Sequence, residues 1–151
     1  PHGYLAPNSK FHSVEELKLV RGFEGQKYLQ IADYVSAAPA SDTKVNINTA
    51  PAMLLASLDP KLDVNAVQQV LQRRQANLEY FSNINDLWAI EPFTQVNTDV
   101  RNEVNDLLGV QSSYFKAKIE VLLSERKRQF SSDLVRKDKT VYVAYRSMAP
   151  F

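Results

Sequence analysis

The chain has 151 residues and no cysteine, which suits one ordinary domain or two small modules and rules out disulfides, thiolate metal sites and cysteine nucleophiles. Lys and Arg (18) nearly balance Asp and Glu (17), and a net charge of +1 argues against a surface built for polyanions. No run approaches the roughly twenty apolar residues that cross a bilayer and no secretory signal opens the chain, so a start at Pro1 leads us to expect a fragment or a processed form.

The first element predicted is a short capped helix in FHSVEELKLVRGF, Phe11 to Phe23. It aligns without gaps on FSNINDLWAIEPF, Phe81 to Phe93. Phe11 matches Phe81, Val14 matches Ile84, Leu17 matches Leu87, Val20 matches Ile90 and Phe23 matches Phe93, while Glu16 and Asp86 share a slot. Steps of three and four residues put the apolar members on one helical face. Ser13 and Asn83 stand where an N-cap is expected, and Gly22 and Pro92 end each copy.

Next, KYLQIADYVSAAP predicts a strand-like segment near 28–35, running on to Pro39, and ASDTKVN a polar crossing. In VNINTAPAMLLASLDP, Asn46, Asn48, Thr49 and Pro51 precede a helix carrying Met53, Leu54, Leu55 and Leu58. Asn48 or Thr49 is expected to cap it, with Pro51 in its first turn. Asp59-Pro60 stops this helix, and a second follows over about 64–77 with Val67, Val70 and Leu71 on one side. A further helix is predicted around 98–108, closed by Gly109.

Beyond Gly109 the period becomes two. Phe115, Ala117, Ile119 and Val121 alternate with Lys116, Lys118 and Glu120, and two more strand-like runs follow across charged turns. Short connections favour an antiparallel meander. The chain therefore reads as α+β, with a mainly α-helical domain over 1–110 and C-terminal antiparallel strands over 111–151.

Enzyme chemistry finds little support. His2 and His12 are the only histidines, HSVEE lacks the second histidine of a zinc-protease helix, and no Gly-x-Ser-x-Gly elbow or glycine-rich phosphate loop is present. A DNA-holding helix-hairpin-helix is the rival reading. Its glycine-rich hairpin lets backbone amides approach phosphate, whereas LDPKLDVNA (58–66) has no glycine, one proline and two carboxylates, Asp59 and Asp63. Arg73 and Arg74 fit the solvated face of the second helix. The basic residues of the terminal region (Arg126, Lys127, Arg128, Arg136, Lys137, Lys139) fit turns and edges that guard a sheet. Calcium would need Asp59 with Asp63, or Asp33 with Asp42, to meet in space, since no Asp-x-Asp-x-Asp-Gly loop occurs.

Together NSKFHSVEELKLVRGF, VNINTAPAMLLASL, RRQANLEYFSNINDLW and SSYFKAKIEVLL, in that order, resemble the K-type minor pseudopilin of the bacterial type II secretion system. The resemblance spans essentially the whole chain. It implies a pilin-type fold in which a helical (helix-hairpin-helix or SAM-like) domain is inserted before a C-terminal antiparallel sheet. It implies no catalytic site and no required cofactor. Calcium binding is also a family property, with ligands we carry over to no numbered position. Implied too are a place at the pseudopilus tip with the I- and J-type minor pseudopilins, contact with secreted substrate or the outer-membrane channel, and no nucleic-acid partner. The location expected is the periplasmic side of a Gram-negative inner membrane, anchored by an apolar helix that lies before Pro1. On this reading Leu17, Asn46, Asn48, Thr49, Pro51, Leu54, Phe81 and Leu87 are structural motif positions.

Overall fold

The computed structural model describes residues 9–37 and 43–148. His2, Pro39 and Asp42 fall outside them, as does much of the expected polar crossing. Two compact units divide the chain, Pro1–Ser41 and Asp42–Phe151.

In the first unit, a 3-10 helix, Val14–Leu19, is followed by α1, Gln26–Ile31. Glycines at 22 and 25 turn the chain between them in the left-handed region (φ 97° and 56°), where a side chain would be strained. The strand-like segment expected near 28–35 is thus corrected: its first half is α1. Tyr28, Ile31 and Ala32 are the covered residues, spaced three and four apart, while Leu29 stays 62% exposed. The period of the covered residues is helical rather than the alternation of a strand. Lys18 lies over the Tyr28 ring at 4.4 Å, and burial foremost, then Glu15 and Asp33, pushes the Tyr28 hydroxyl above its ordinary pKa.

The second unit starts with a helical body whose ends are pinned together. Strand β1, Val45–Asn46, pairs in parallel with β2, Leu108–Gly109, and the Val45 and Ile47 amides donate to Leu107 O (2.8 Å) and Gly109 O (2.9 Å). A Cβ on Gly109 would stand 3.2 Å from the Lys44 Cβ, so glycine suits this close crossing. Between these ends come α2, Ala52–Ala56; α3, Val64–Ala76; α4, Ile84–Trp88; a 3-10 turn, Phe93–Gln95; and α5, Thr98–Asn105. Their apolar faces meet in one core built on Ile47, Leu55, Val67, Phe81, Leu87, Phe93 and Leu108.

Three expectations change here. Pro51 itself takes the N-cap position of α2 and no side chain caps that helix, so neither Asn48 nor Thr49 does so. Leu55, at 0% exposure, is the core leucine of α2, with Leu54 only half-buried and Met53 51% exposed. The helix expected to run to 108 stops at Asn105. Leu108, 1% exposed, is drawn into the core as part of β2, so tertiary pairing overrides helical continuation.

After Ser113 the chain forms the expected antiparallel meander: β3, Tyr114–Leu123; β4, Arg126–Lys137; β5, Thr140–Ser147, in the order β3-β4-β5. Tyr114 pairs with Val135 and Leu123 with Arg126, while β5 reaches along β4 only from Lys137 back to Ser131, with a bulge at Asp133/Leu134. The turns are tighter than the charged runs suggested, with Ser124 and Asp138 both at φ 55°.

Candidate functional site

The Asn-x-Asn-Thr-Ala stretch sits where the body begins and ends. The Asn46 side-chain oxygen accepts the Asn48 amide at 3.0 Å, and its Nδ2 donates to Ser112 Oγ at 3.0 Å. The Asn48 oxygen accepts the Phe81 amide at 2.7 Å, while its Nδ2 donates to Phe81 O at 3.1 Å and to Val110 O at 3.2 Å. One half-buried amide side chain therefore bridges the opening loop, the start of the second copy and the exit of the body. Thr49 is exposed and reaches only Asn46 O, at 3.5 Å. The cluster is a clasp.

The two copies share more than spacing. Glu16 Oε1 accepts the amides of His12 (2.9 Å) and Ser13 (3.1 Å), and Asp86 Oδ2 accepts those of Ser82 (2.9 Å) and Asn83 (3.0 Å). Each carboxylate satisfies two amides that enter a helical turn, the acidic half of a capping box. Those backbone bonds, that of Asn83 first, hold the Asp86 carboxyl below its ordinary pKa. Burial separates the copies: Phe81, Leu87 and Phe93 are 4%, 0% and 0% exposed, whereas Phe11 and Phe23 are 46% and 37% exposed and Leu17 is half-buried.

In the hairpin between α2 and α3 several amides are occupied. Asp59, 5% exposed, accepts the Lys61 amide on Oδ1 at 2.8 Å, and its carbonyl accepts the Leu62 amide at 3.0 Å. Pro60 has no amide hydrogen. Asp63 caps α3 by accepting the Ala66 amide at 2.9 Å. Carboxylates thus accept two of the amides that a phosphate would need. Asp59 and Asp63 are turn and cap residues, and among the described residues no three His, Cys, Asp or Glu gather to hold a metal. Asp42, the partner considered for Asp33, is not described.

Arginine usage differs from the sequence reading. Arg73 is exposed, but the Arg74 side chain is only 18% exposed, its guanidinium 4.0 Å over the Phe81 ring and 3.6 Å from Glu79. Sequence reasoning missed it because Phe81 lies beyond the end of α3 and meets Arg74 only through the turn that follows the helix. A cleft of about 360 Å³ between α4 and α5 is lined by Trp88, Arg101 and Asn105. Their polar groups are already engaged: Trp88 Nε1 donates to Asn105 Oδ1 at 2.9 Å, and Arg101 to the carbonyls of Val96 (2.8 Å) and Thr94 (2.6 Å).

The terminal sheet carries an exposed apolar face. Phe115, Ile119, Val121, Val141 and Val143 lie on one face by register and are 39–54% exposed, with Phe130 and Leu134 among them. Lys116, Lys118 and Glu120 occupy the other face, as the alternation predicted.

Residues 45–111, the helical body and its exit, match the family model described as type II secretion system (T2SS), protein K. The chain is 30% identical over 138 residues to the type II secretion system protein K of Aeromonas hydrophila, covering 88% of this chain and 40% of that protein. It is 29% identical over 148 residues to the Klebsiella pneumoniae protein of the same name, covering 95% and 44%. In fold it is similar to a chain in the crystal structure of the GspK-GspI-GspJ complex from the enterotoxigenic Escherichia coli type 2 secretion system, with a TM-score of 0.82 at 20% identity over 98% of this chain and 51% of that one. The chain thus spans less than half the length of these two curated relatives.

Proposed function

We propose, from the kinship with type II secretion system protein K that residues 45–111 carry, that this chain is the extracytoplasmic part of a K-type minor pseudopilin. It acts without catalysis, in building the pseudopilus tip and in protein export. The helical body is a packing scaffold that keeps the outline of a helix-hairpin-helix, inserted before the strands of a pilin-like sheet. Its partners are the I- and J-type minor pseudopilins, and beyond them secreted substrate or the outer-membrane channel. The protein is held at the Gram-negative inner membrane through an apolar helix outside these residues. Among the described residues no helix is long and apolar enough to cross a membrane.

The observation that carries this reading is the sheet face of Phe115, Ile119, Val121 and Val143, apolar and left open to solvent. Exposed apolar side chains grouped on one face, here beside Arg128 and Arg136, mark contact with another element or chain. The test is co-purification of the full-length protein with I- and J-type pseudopilins, read by size exclusion. A stable ternary complex, weakened by Val121→Lys and Val143→Lys, is expected. No complex with either partner refutes the proposal. Duplex DNA binding at low salt that collapses as salt rises would reinstate the nucleic-acid reading.

A further inference from the structure

The apolar core of the helical body draws on residues from Val45 to Val110 and on none of the sheet. The direction in which the sheet leaves the body must therefore be set in the short passage 110–113. Two of these residues are held from the body side, Val110 O by Asn48 Nδ2 and Ser112 Oγ by Asn46 Nδ2. Two are held from the sheet side. Gln111 Oε1 accepts from Arg136 Nη2 at 3.3 Å, and Ser113 O accepts the Arg136 amide at 2.7 Å, which carries the β3–β4 ladder one step further. Body and sheet alternate along four consecutive residues.

We propose that Asn46, Asn48 and Arg136 form a clamp that locks the sheet to the helical body, with Asn46 and Arg136 as positioning residues of the junction. Four residues carry eight soft backbone torsions, enough to let the sheet swing if only chain connectivity held it. The bonds that restrain them are polar and partly exposed, so each contributes modestly and the lock depends on their acting together. Asn46 is suited to this because its oxygen, bonded to the Asn48 amide, orients the amide group so that Nδ2 faces Ser112. Arg136 is suited because its backbone is fixed opposite Val141 in β4 while its guanidinium reaches past the strand end to Gln111. In an assembly component such a lock decides which way the open apolar face points.

The absence of cysteine makes the test direct. Exposed Gln68 on α3 and Lys139 in the β4–β5 turn are replaced by cysteine in the full chain and spin-labelled, and the distance distribution is measured by pulsed electron resonance. A single narrow distribution is expected, broadening about twofold in Ser112→Ala/Arg136→Ala as the junction samples further states. Circular dichroism and the melting midpoint should not move, since neither side chain belongs to the core; a loss confined to folding would move them instead. Gln111→Ala, which removes only an exposed acceptor, should broaden the distribution partly even where the double variant proves unstable. Distributions of unchanged width in both variants, or a broad one in the parent, overturn the clamp.

Discussion

Leu87→Ala and Leu17→Ala delete the same side chain from the same slot of the two aligned copies, in different surroundings. Leu87 is 0% exposed, among Phe81, Phe93 and the rest of the core. Removing roughly three carbons at about 0.8 kcal/mol each gives about 2.4 kcal/mol of lost transfer energy. The cavity left in a closely packed site raises the expected cost to about 3–4 kcal/mol. Leu17 is half-buried beside an exposed Phe11, so less area is lost and solvent fills the space. Its deletion should cost about 1 kcal/mol. Urea unfolding followed by circular dichroism reads both as midpoint shifts at constant slope. Equal shifts for the two variants, or a cost below about 1 kcal/mol for Leu87→Ala, would refute the argument that burial divides the copies.

Asp86→Asn should lower the melting midpoint at neutral pH. The folded state holds this carboxyl below its ordinary pKa, so its contribution is present above the unfolded value and disappears as pH falls through the folded one. The gap between variant and parent should therefore narrow as pH falls below the ordinary carboxylate range, and a gap that stays constant through that fall would contradict the capping role. Leu78 occupies the position after the C-cap of α3 at φ 56°, with the Glu79 amide on Arg74 O (2.8 Å) and its own on Gln75 O (3.1 Å). Glycine is the usual residue there, and Leu78 is 74% exposed, so Leu78→Gly should be neutral or stabilise by up to about 1 kcal/mol in a thermal melt. Arg74→Ala should cost about 1 kcal/mol through lost cover over Phe81, while Arg73→Ala leaves the midpoint in place. Thr49→Ala should change stability by less than about 0.5 kcal/mol, since Thr49 caps nothing; a larger loss in the same melt would restore it as a cap.

Local pattern alone was enough for the terminal meander, because a period of two over Phe115 to Val121 has one reading on a half-covered sheet. It was also enough for the repeat, where matched spacing put Glu16 and Asp86 in one slot and the structure gives both carboxylates the same pair of amides. Tertiary structure alone decided the rest. Asn48 looked like a cap because its neighbours in sequence form a helix, yet its partners are Phe81 and Val110, 33 and 62 residues away. Leu55 rather than Leu54 entered the core because the face that α2 turns to its neighbours holds Ala52, Leu55 and Ala56. Gln26–Ile31 became helical around a buried Tyr28, and Leu108 left a helix to pair with Val45. Capping amides and strand faces are set within a few residues of chain and so are written there. Which side chain closes a core or clasps a distant carbonyl is set by packing, whose neighbours are distant in sequence.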